Sequence, residues 1–111
     1  MYEYNAKCIR IIDGDTIKAR IDLGFHVWIE ATLRLRDVDT PECRTRDLVE
    51  KRKGMAAKGR VAELMEDNNF EFVVISHGTG KYGRVVCDIK LTEGDMGDIL
   101  VSEGHGERYE D

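Results

Sequence analysis

Two short acidic segments hold the residues best suited to chemistry in this chain. The first is Asp13-Gly14-Asp15-Thr16, and the second is Asp37-Val38-Asp39-Thr40-Pro41-Glu42. Each alone is typical of an ordinary turn, in which aspartate hydrogen-bonds to its own backbone. If the two turns converge, Asp15, Asp39 and Glu42 supply the oxygen ligands that a hard cation prefers. The two segments together therefore predict an oxygen-lined cation site.

Two arginines accompany these acids. Arg34 lies shortly before Asp39, and Arg84 ends the segment Lys81-Tyr82-Gly83-Arg84. Hydrolysis of a phosphodiester builds negative charge on the phosphoryl oxygens, so catalysis requires positive charge at that place. Arginine is suited to this because its planar guanidinium donates two parallel hydrogen bonds to phosphate. A carboxylate such as Glu42 would orient and deprotonate the attacking water, so the residue types favour phosphodiester hydrolysis.

Composition limits what kind of protein carries these residues. The chain has 111 residues, 41% of them hydrophobic and 35% charged, which predicts one folded domain over residues 1–111. No apolar run approaches the roughly 20 residues of a membrane-spanning helix. Cys8, Cys43 and Cys87 are an odd number at wide spacing, which argues against a disulfide framework and a zinc site. The net charge of −5 counts against passive nucleic-acid binding, unless the acids surround a cation.

The N-terminus bears on where the protein works. No basic stretch followed by an apolar run is visible there, so no signal peptide is predicted. We therefore expect an intracellular, cytoplasmic protein, or a secreted one whose signal has been removed. A monomer without a membrane partner is the expected state.

The hydrophobic pattern predicts five strands and two helices. The strands are Cys8–Ile12, Thr16–Leu23, Val27–Leu35, Phe70–Ser76 and Arg84–Leu91. Apolar residues at helical spacing predict one helix between Met55 and Asn68 and a second from Met96 to Glu103, ended by Gly104. This order is typical of a mainly β fold with helices (α+β). It matches the OB arrangement, a five-stranded Greek-key barrel with a helix between strands 3 and 4 and a C-terminal helix.

Two further expectations concern surface and core. The segment from Glu42 to Lys53 is charge-rich and lacks an apolar period, so it is predicted to be an exposed loop. Its cations either attract the backbone of a nucleic acid or are simply solvated; they are Arg44, Arg46, Lys51, Arg52 and Lys53. Trp28 is expected in the core, because it lies in a strand of alternating apolar residues.

Four motifs in this order resemble the staphylococcal nuclease, or thermonuclease-like, family of OB-fold nucleases. They are Ile12-Asp13-Gly14-Asp15-Thr16, Leu33-Arg34-Leu35, Val38-Asp39-Thr40-Pro41-Glu42 and Lys81-Tyr82-Gly83-Arg84. The amphipathic helix between the third and fourth motifs is also similar to the family's. The chain ends at Asp111, so the family's third, C-terminal helix is expected to be missing.

The resemblance implies a set of metal ligands. Asp15 and Asp39 would bind calcium directly, and the backbone carbonyl of Thr40 would add another oxygen. Asp13 would support these ligands without touching the metal. The implied cofactor is therefore Ca²⁺.

The resemblance also implies a reaction and the residues that carry it. Glu42 would orient or deprotonate the attacking water, while Arg34 and Arg84 would clamp the phosphate. The family cleaves DNA and RNA with little sequence preference and leaves 3′-phosphate ends, so DNA or RNA is the expected substrate. The residues expected to contact it are Lys81, Tyr82 and Tyr109.

Two other readings stay open at the level of sequence. The first is a non-catalytic OB-fold module that binds nucleic acid or a protein partner. The second is a structural domain stabilised by calcium, in which no substrate pocket forms. Arg34 and Arg84 would have no explanation in the second reading.

Overall fold

A computed structural model describes residues 2–109. In chain order the elements are β1 (Tyr2–Asp13), β2 (Thr16–Asp22), β3 (Trp28–Leu35), β4 (Val38–Asp39), α1 (Leu48–Asp67), β5 (Glu71–Thr79), a 3₁₀ turn (Lys81–Gly83), β6 (Val85–Leu91), β7 (Gly94–Asp95), α2 (Met96–Ser102) and β8 (Glu107–Arg108). No helix within residues 2–109 is long and apolar enough to cross a membrane.

The five long strands form a closed barrel. β1, β2 and β3 are an antiparallel meander, β5 pairs with the other edge of β1, and β6 pairs with β5. The barrel closes where Leu33–Leu35 of β3 runs parallel to Val85–Cys87 of β6. The predicted OB barrel is therefore confirmed. β4, β7 and β8 are additions of two residues each that the hydrophobic pattern did not predict.

The core lies between the barrel and the two helices. Its fully buried side chains come from β2 to β6 and from both helices, and include Ile17, Leu33, Leu64, Met65, Val74, Ile89, Met96 and Leu100. The side chain of Arg60 in α1 donates to both carboxylate oxygens of Glu103, over 2.7 and 3.0 Å. This paired hydrogen bond fixes α1 against the end of α2.

Helix α1 begins at Leu48, so the prediction of an exposed loop as far as Lys53 was wrong. The Asp47 side chain caps the helix, because its Oδ1 accepts hydrogen bonds from the backbone N–H groups of Val49 and Glu50. Charged residues in the first turns hide the apolar period. The signal that was available is the spacing of Asp47 and Glu50, which resembles a capping box.

Trp28 is 40% exposed, so the prediction that it lies in the core was also wrong. Side chains alternate between the two faces of a strand. Leu33 and Leu35 of β3 are buried. Trp28 is an odd number of positions away from both, so its side chain lies on the opposite, outward face. There the guanidinium of Arg20 lies 5.2 Å from the centre of the indole ring.

The carboxylate of Asp88 in β6 hydrogen-bonds to two neighbouring segments, β5 and the turn after β3. Asp88 Oδ2 lies 2.8 Å from His77 Nε2 of β5, and both carboxylate oxygens of Asp88 accept from the Arg36 guanidinium. Burial raises the pKa of the Asp88 carboxyl, but the hydrogen bonds from His77 and Arg36 outweigh it and hold that pKa below its ordinary value.

We expect Asp88→Asn to lower the free energy of unfolding by about 1 kcal/mol near neutral pH, because the partly buried hydrogen bond with His77 and the exposed ones with Arg36 lose their charged acceptor. The folded-state pKa of Asp88 lies below its unfolded value of about 4. Its contribution is therefore complete above about pH 4 and is lost as the pH falls through the folded pKa. Urea unfolding of both proteins across this range measures the difference. A loss that stays constant down to about pH 3 would contradict the electrostatic origin.

Candidate active site

The two acidic turns meet in a pocket of about 430 Å³, called here the acidic pocket. Its lining residues are Asp13, Asp15, Thr16, Arg34, Asp39, Thr40, Glu42, Glu50 and Arg84. Every residue predicted to bind metal or to act in catalysis lines it, together with Asp13. The structure thus brings both acidic turns and both arginines to one place.

The Asp15 carboxylate joins the two turns. Its Oδ2 accepts a hydrogen bond of 2.9 Å from the backbone N–H of Thr40, and its Oδ1 accepts one of 2.8 Å from the Thr16 hydroxyl. The Asp15 residue is only 8% exposed, so these bonds are shielded from water. The start of β2 and the end of β4 are therefore held at a fixed separation.

Asp13 secures the next part of the same wall. Its Oδ1 accepts a hydrogen bond of 3.1 Å from the backbone N–H of Cys43, the residue after Glu42. Burial, together with the neighbouring Asp13 carboxylate, raises the pKa of the Cys43 thiol to about 11. Cys43 is therefore a protonated thiol at neutral pH and not a nucleophile.

Helix α1 packs directly on the backbone that carries Glu42, and a glycine makes this possible. A Cβ atom added to Gly54 would lie 2.5 Å from the carbonyl oxygen of Glu42 and 2.8 Å from that of Pro41. Both distances are far below van der Waals contact. The absence of a side chain at Gly54 therefore sets how closely the Pro41–Glu42 segment approaches the helix.

Arg34 is held firmly at the pocket wall. Its Nη1 donates to the carbonyl oxygens of Leu35 and Val38, over 2.9 and 2.6 Å. Its Nη2 forms an ion pair with Asp39 and lies 3.5 Å from Asp15 Oδ2. The guanidinium thus lies between the two carboxylates predicted to bind metal, with its side chain only 14% exposed.

Arg84 also lines the pocket, but it is held more loosely than Arg34. Its Nε donates to the carbonyl oxygen of Lys81 over a long 3.4 Å, and its guanidinium lies 5.7 Å from the centre of the Tyr82 ring. Neither contact involves a carboxylate. The Arg84 guanidinium therefore keeps most of its hydrogen-bonding capacity for an anion.

Three residues predicted to contact substrate lie outside the lining of the pocket. Tyr82 is 93% exposed and has a left-handed backbone, with φ of 61°, and Lys81 beside it is also exposed. Tyr109 follows β8, where its backbone N–H donates to the carbonyl oxygen of Asp37. Their roles toward a substrate stay predictions.

The pocket carries five carboxylates against two guanidiniums, which leaves it formally negative by three charges. All potential metal ligands in it are oxygen atoms, the donor set of a hard cation. The Thr40 hydroxyl is a further oxygen there, buried and without a hydrogen-bond partner. Within residues 2–109, no three acidic, histidine or cysteine side chains already stand close enough to hold an ion. The oxygen donors of these residues are therefore of the type that a hard cation requires. In this structure Asp15 and Asp39 both pair with the Arg34 guanidinium.

Glu50 is the lining residue that sequence reasoning missed. It lies in the first turn of α1, a part of the chain that was predicted to be a loop. The spacing of Asp47 and Glu50 that marks the helix start is also the signal that could have placed Glu50 next to the acidic turns.

The model of the staphylococcal nuclease homologue family matches residues 32–111. The chain belongs to this family. The match covers Arg34, Glu42 and Arg84, whereas Asp13 and Asp15 lie ahead of it. Comparison with curated proteins gives no match. Membership of the staphylococcal nuclease homologues confirms the family resemblance, three of whose four motifs lie within the match, and it indicates a nuclease-like protein.

In this staphylococcal nuclease homologue, Gly54→Ala should displace the Pro41–Glu42 segment and lower the free energy of unfolding by about 1–3 kcal/mol, the usual cost of overpacking. Gly59→Ala is the matched control, because it lies in the same helix and a Cβ there would meet nothing within 4 Å. The control should gain about 0.5–1 kcal/mol. Urea unfolding measures both. Equal effects of the two substitutions would show that the close approach at Gly54 imposes no constraint.

Proposed function

We propose that this chain is a calcium-dependent endonuclease that hydrolyses phosphodiester bonds of DNA and RNA with little sequence specificity and leaves 3′-phosphate ends. The supporting observation is the charge of the acidic pocket, which is formally negative by three yet contains two arginines. A phosphodiester is itself an anion, so this pocket would repel it unless a cation were bound first. A site made only to hold metal would have no use for Arg84.

The metal would be held by the Asp15 and Asp39 carboxylates and the backbone carbonyl of Thr40. Bound there, Ca²⁺ supplies positive charge that lowers the repulsion of the phosphate and of the charge that develops on it. Arg34 occupies the space between these two carboxylates. Holding the ion therefore requires its guanidinium to give up its pairing with Asp39 and turn toward the phosphate.

The protein's own residues would then act on the phosphate and on water. Arg84 and Arg34 donate hydrogen bonds to the non-bridging phosphoryl oxygens, where negative charge grows in the transition state. Glu42 is exposed on the pocket wall and accepts a proton from the attacking water. The water oxygen forms a bond to phosphorus while the bond from phosphorus to the 5′ oxygen breaks. The 5′ oxygen takes up a proton from solvent water and leaves as a hydroxyl, and the phosphate stays on the 3′ end.

One observation favours a second candidate function, a non-catalytic module that binds nucleic acid. The Arg34 guanidinium already neutralises part of the charge of Asp15 and Asp39. A barrel of this kind can bind oligonucleotides through its strands without cutting them. In that case neither calcium nor Glu42 would affect binding.

Cleavage of plasmid DNA and of single-stranded RNA by the purified protein tests the proposed function. We expect cutting with calcium, none with a chelator, and a loss on the order of 10²-fold or more in Glu42→Gln, which keeps the size of the side chain but not its basicity. The variant also excludes a contaminating nuclease. A folded protein that binds oligonucleotide but cuts nothing under any condition would establish the binding module instead.

The two arginines should differ in what their removal does to stability. Arg84→Ala and Arg34→Ala should each lower kcat by on the order of 10²-fold or more, because each removes positive charge from the transition state. Arg34→Ala should also lower the free energy of unfolding by about 1–3 kcal/mol, since the carbonyl oxygens of Leu35 and Val38 lose their donor. Arg84→Ala should change it by less than about 0.5 kcal/mol. Single-turnover cleavage and urea unfolding measure the two effects, and equal destabilisation would be the contrary result.

A further inference from the structure

A second concavity lies on the other side of the Asp13 turn, with a volume of about 290 Å³. It is called here the cationic pocket. Three cations, Arg10, Arg44 and Lys58, line it together with the apolar side chains of Ile11, Ile12 and Met55. No carboxylate is among the lining residues, so its charge is opposite to that of the acidic pocket.

The fold brings these three cations together from three different elements. Arg10 lies in β1 just after a bulge, Arg44 lies in the segment before α1, and Lys58 lies in α1. The hydrogen bond from the Cys43 N–H to the Asp13 carboxylate fixes the second segment beside the first. The pocket is thus built by the same contacts that build the acidic pocket.

The cations of this pocket have no ionic partners in the part of the chain that the structure describes. Half of the other cations outside the acidic pocket do, as in the pairs Lys18–Glu30, Arg36–Asp88 and Arg60–Glu103. Arg10, Arg44 and Lys58 form no ion pair within residues 2–109. In a chain with a net charge of −5, acids are plentiful, so three uncompensated cations around one concavity favour an anionic ligand.

The walls of the pocket indicate which anion this is. Ile12 directly precedes Asp13, and Cys43 directly follows Glu42, so the same two segments line both pockets. A strand whose scissile phosphate lies in the acidic pocket can continue past these segments. The apolar side chains of Ile11 and Met55 would face a sugar or base, which inorganic phosphate lacks.

We propose that the cationic pocket binds a backbone phosphate of the nucleic-acid substrate, on the strand that is cut and beside the scissile position. This inference rests on the proposed function and locates where the substrate is held. Affinity would come from Arg10, Arg44 and Lys58, while the acidic pocket would be reserved for catalysis. A very short substrate that cannot reach the cationic pocket would gain nothing from it.

Binding of a fluorescent single-stranded DNA oligonucleotide to Arg10→Gln/Lys58→Gln, followed by anisotropy over a range of salt, tests the proposal. We expect Kd to rise about tenfold and the slope of log K against log salt to fall by about 0.7, the value for one lost phosphate contact on a single strand. Lys7→Gln/Lys90→Gln is the matched control, because it removes the same charge from ion pairs with Glu71 and Asp95 elsewhere on the surface. Equal effects of the two double variants would overturn the proposal.

Cleavage kinetics separate this proposal from the proposed function. For a long oligonucleotide, Arg10→Gln/Lys58→Gln should raise KM about tenfold and leave kcat unchanged, whereas cleavage of a dinucleotide should not change. If the unmodified protein cuts nothing but its oligonucleotide binding still depends on these two residues, the endonuclease fails and the subsite stands. If it cuts and the variant shows unaltered KM for both substrates, only the subsite fails.

Inorganic phosphate distinguishes a free anion from a nucleic-acid phosphate. It should raise the Tm of the unmodified protein and of Arg10→Gln/Lys58→Gln by the same small amount. The contrary result has two parts: phosphate raises the Tm of the unmodified protein only, and both proteins bind the oligonucleotide equally well. The pocket would then bind a free anion, and the proposal would be wrong.

Discussion

The hydrogen bond between the Asp15 carboxylate and the backbone N–H of Thr40 is the contact on which the acidic pocket depends. It joins residues separated by 25 positions in the chain, one at the start of β2 and one after β4. The geometry of the two acidic turns relative to each other follows from it, and so does the place of Arg34 between Asp15 and Asp39. Because the bond is buried, its loss would leave a backbone N–H without an acceptor and a carboxylate with one hydrogen bond fewer in a poorly solvated place, which is costly. The Asp15 carboxylate thus holds the two acidic turns together and is also a candidate metal ligand.

Charge in this molecule is organised locally, and the net charge of −5 conceals the arrangement. One pocket gathers carboxylates and the other gathers unpaired cations, and the neighbouring residues Ile12–Asp13 and Glu42–Cys43 contribute to both linings. A uniformly basic surface would bind nucleic acid well but would weaken the hold on a divalent cation. Separate pockets allow one part of the surface to attract an anion and another to attract a cation.

Much of the fold and of the site could be predicted from the sequence. The five long strands and α2 follow from alternation and from glycine at a helix end, and the closeness of Asp15, Asp39 and Arg84 follows from the family motifs. The start of α1 did not follow, because Glu50 and its charged neighbours show no apolar period and the Asp47 cap is a local signal. Trp28 was wrongly placed in the core, because alternation alone does not say which face of β3 is buried until Leu33 is known to point inward. The cationic pocket could not be predicted at all, because its three members meet only when β1, α1 and the segment between them pack.

The parallel contact between β3 and β6 also determines when the site comes into being during folding. The meander of β1, β2 and β3 forms from neighbouring segments, but the pairing of Arg34 with Val86 joins positions on either side of the whole of α1 and β5. Contacts between such distant segments carry a large loop-closure entropy and form slowly. Arg34 and Arg84 stand on opposite sides of that closure. Both arginines therefore come together in the acidic pocket only when the barrel is complete.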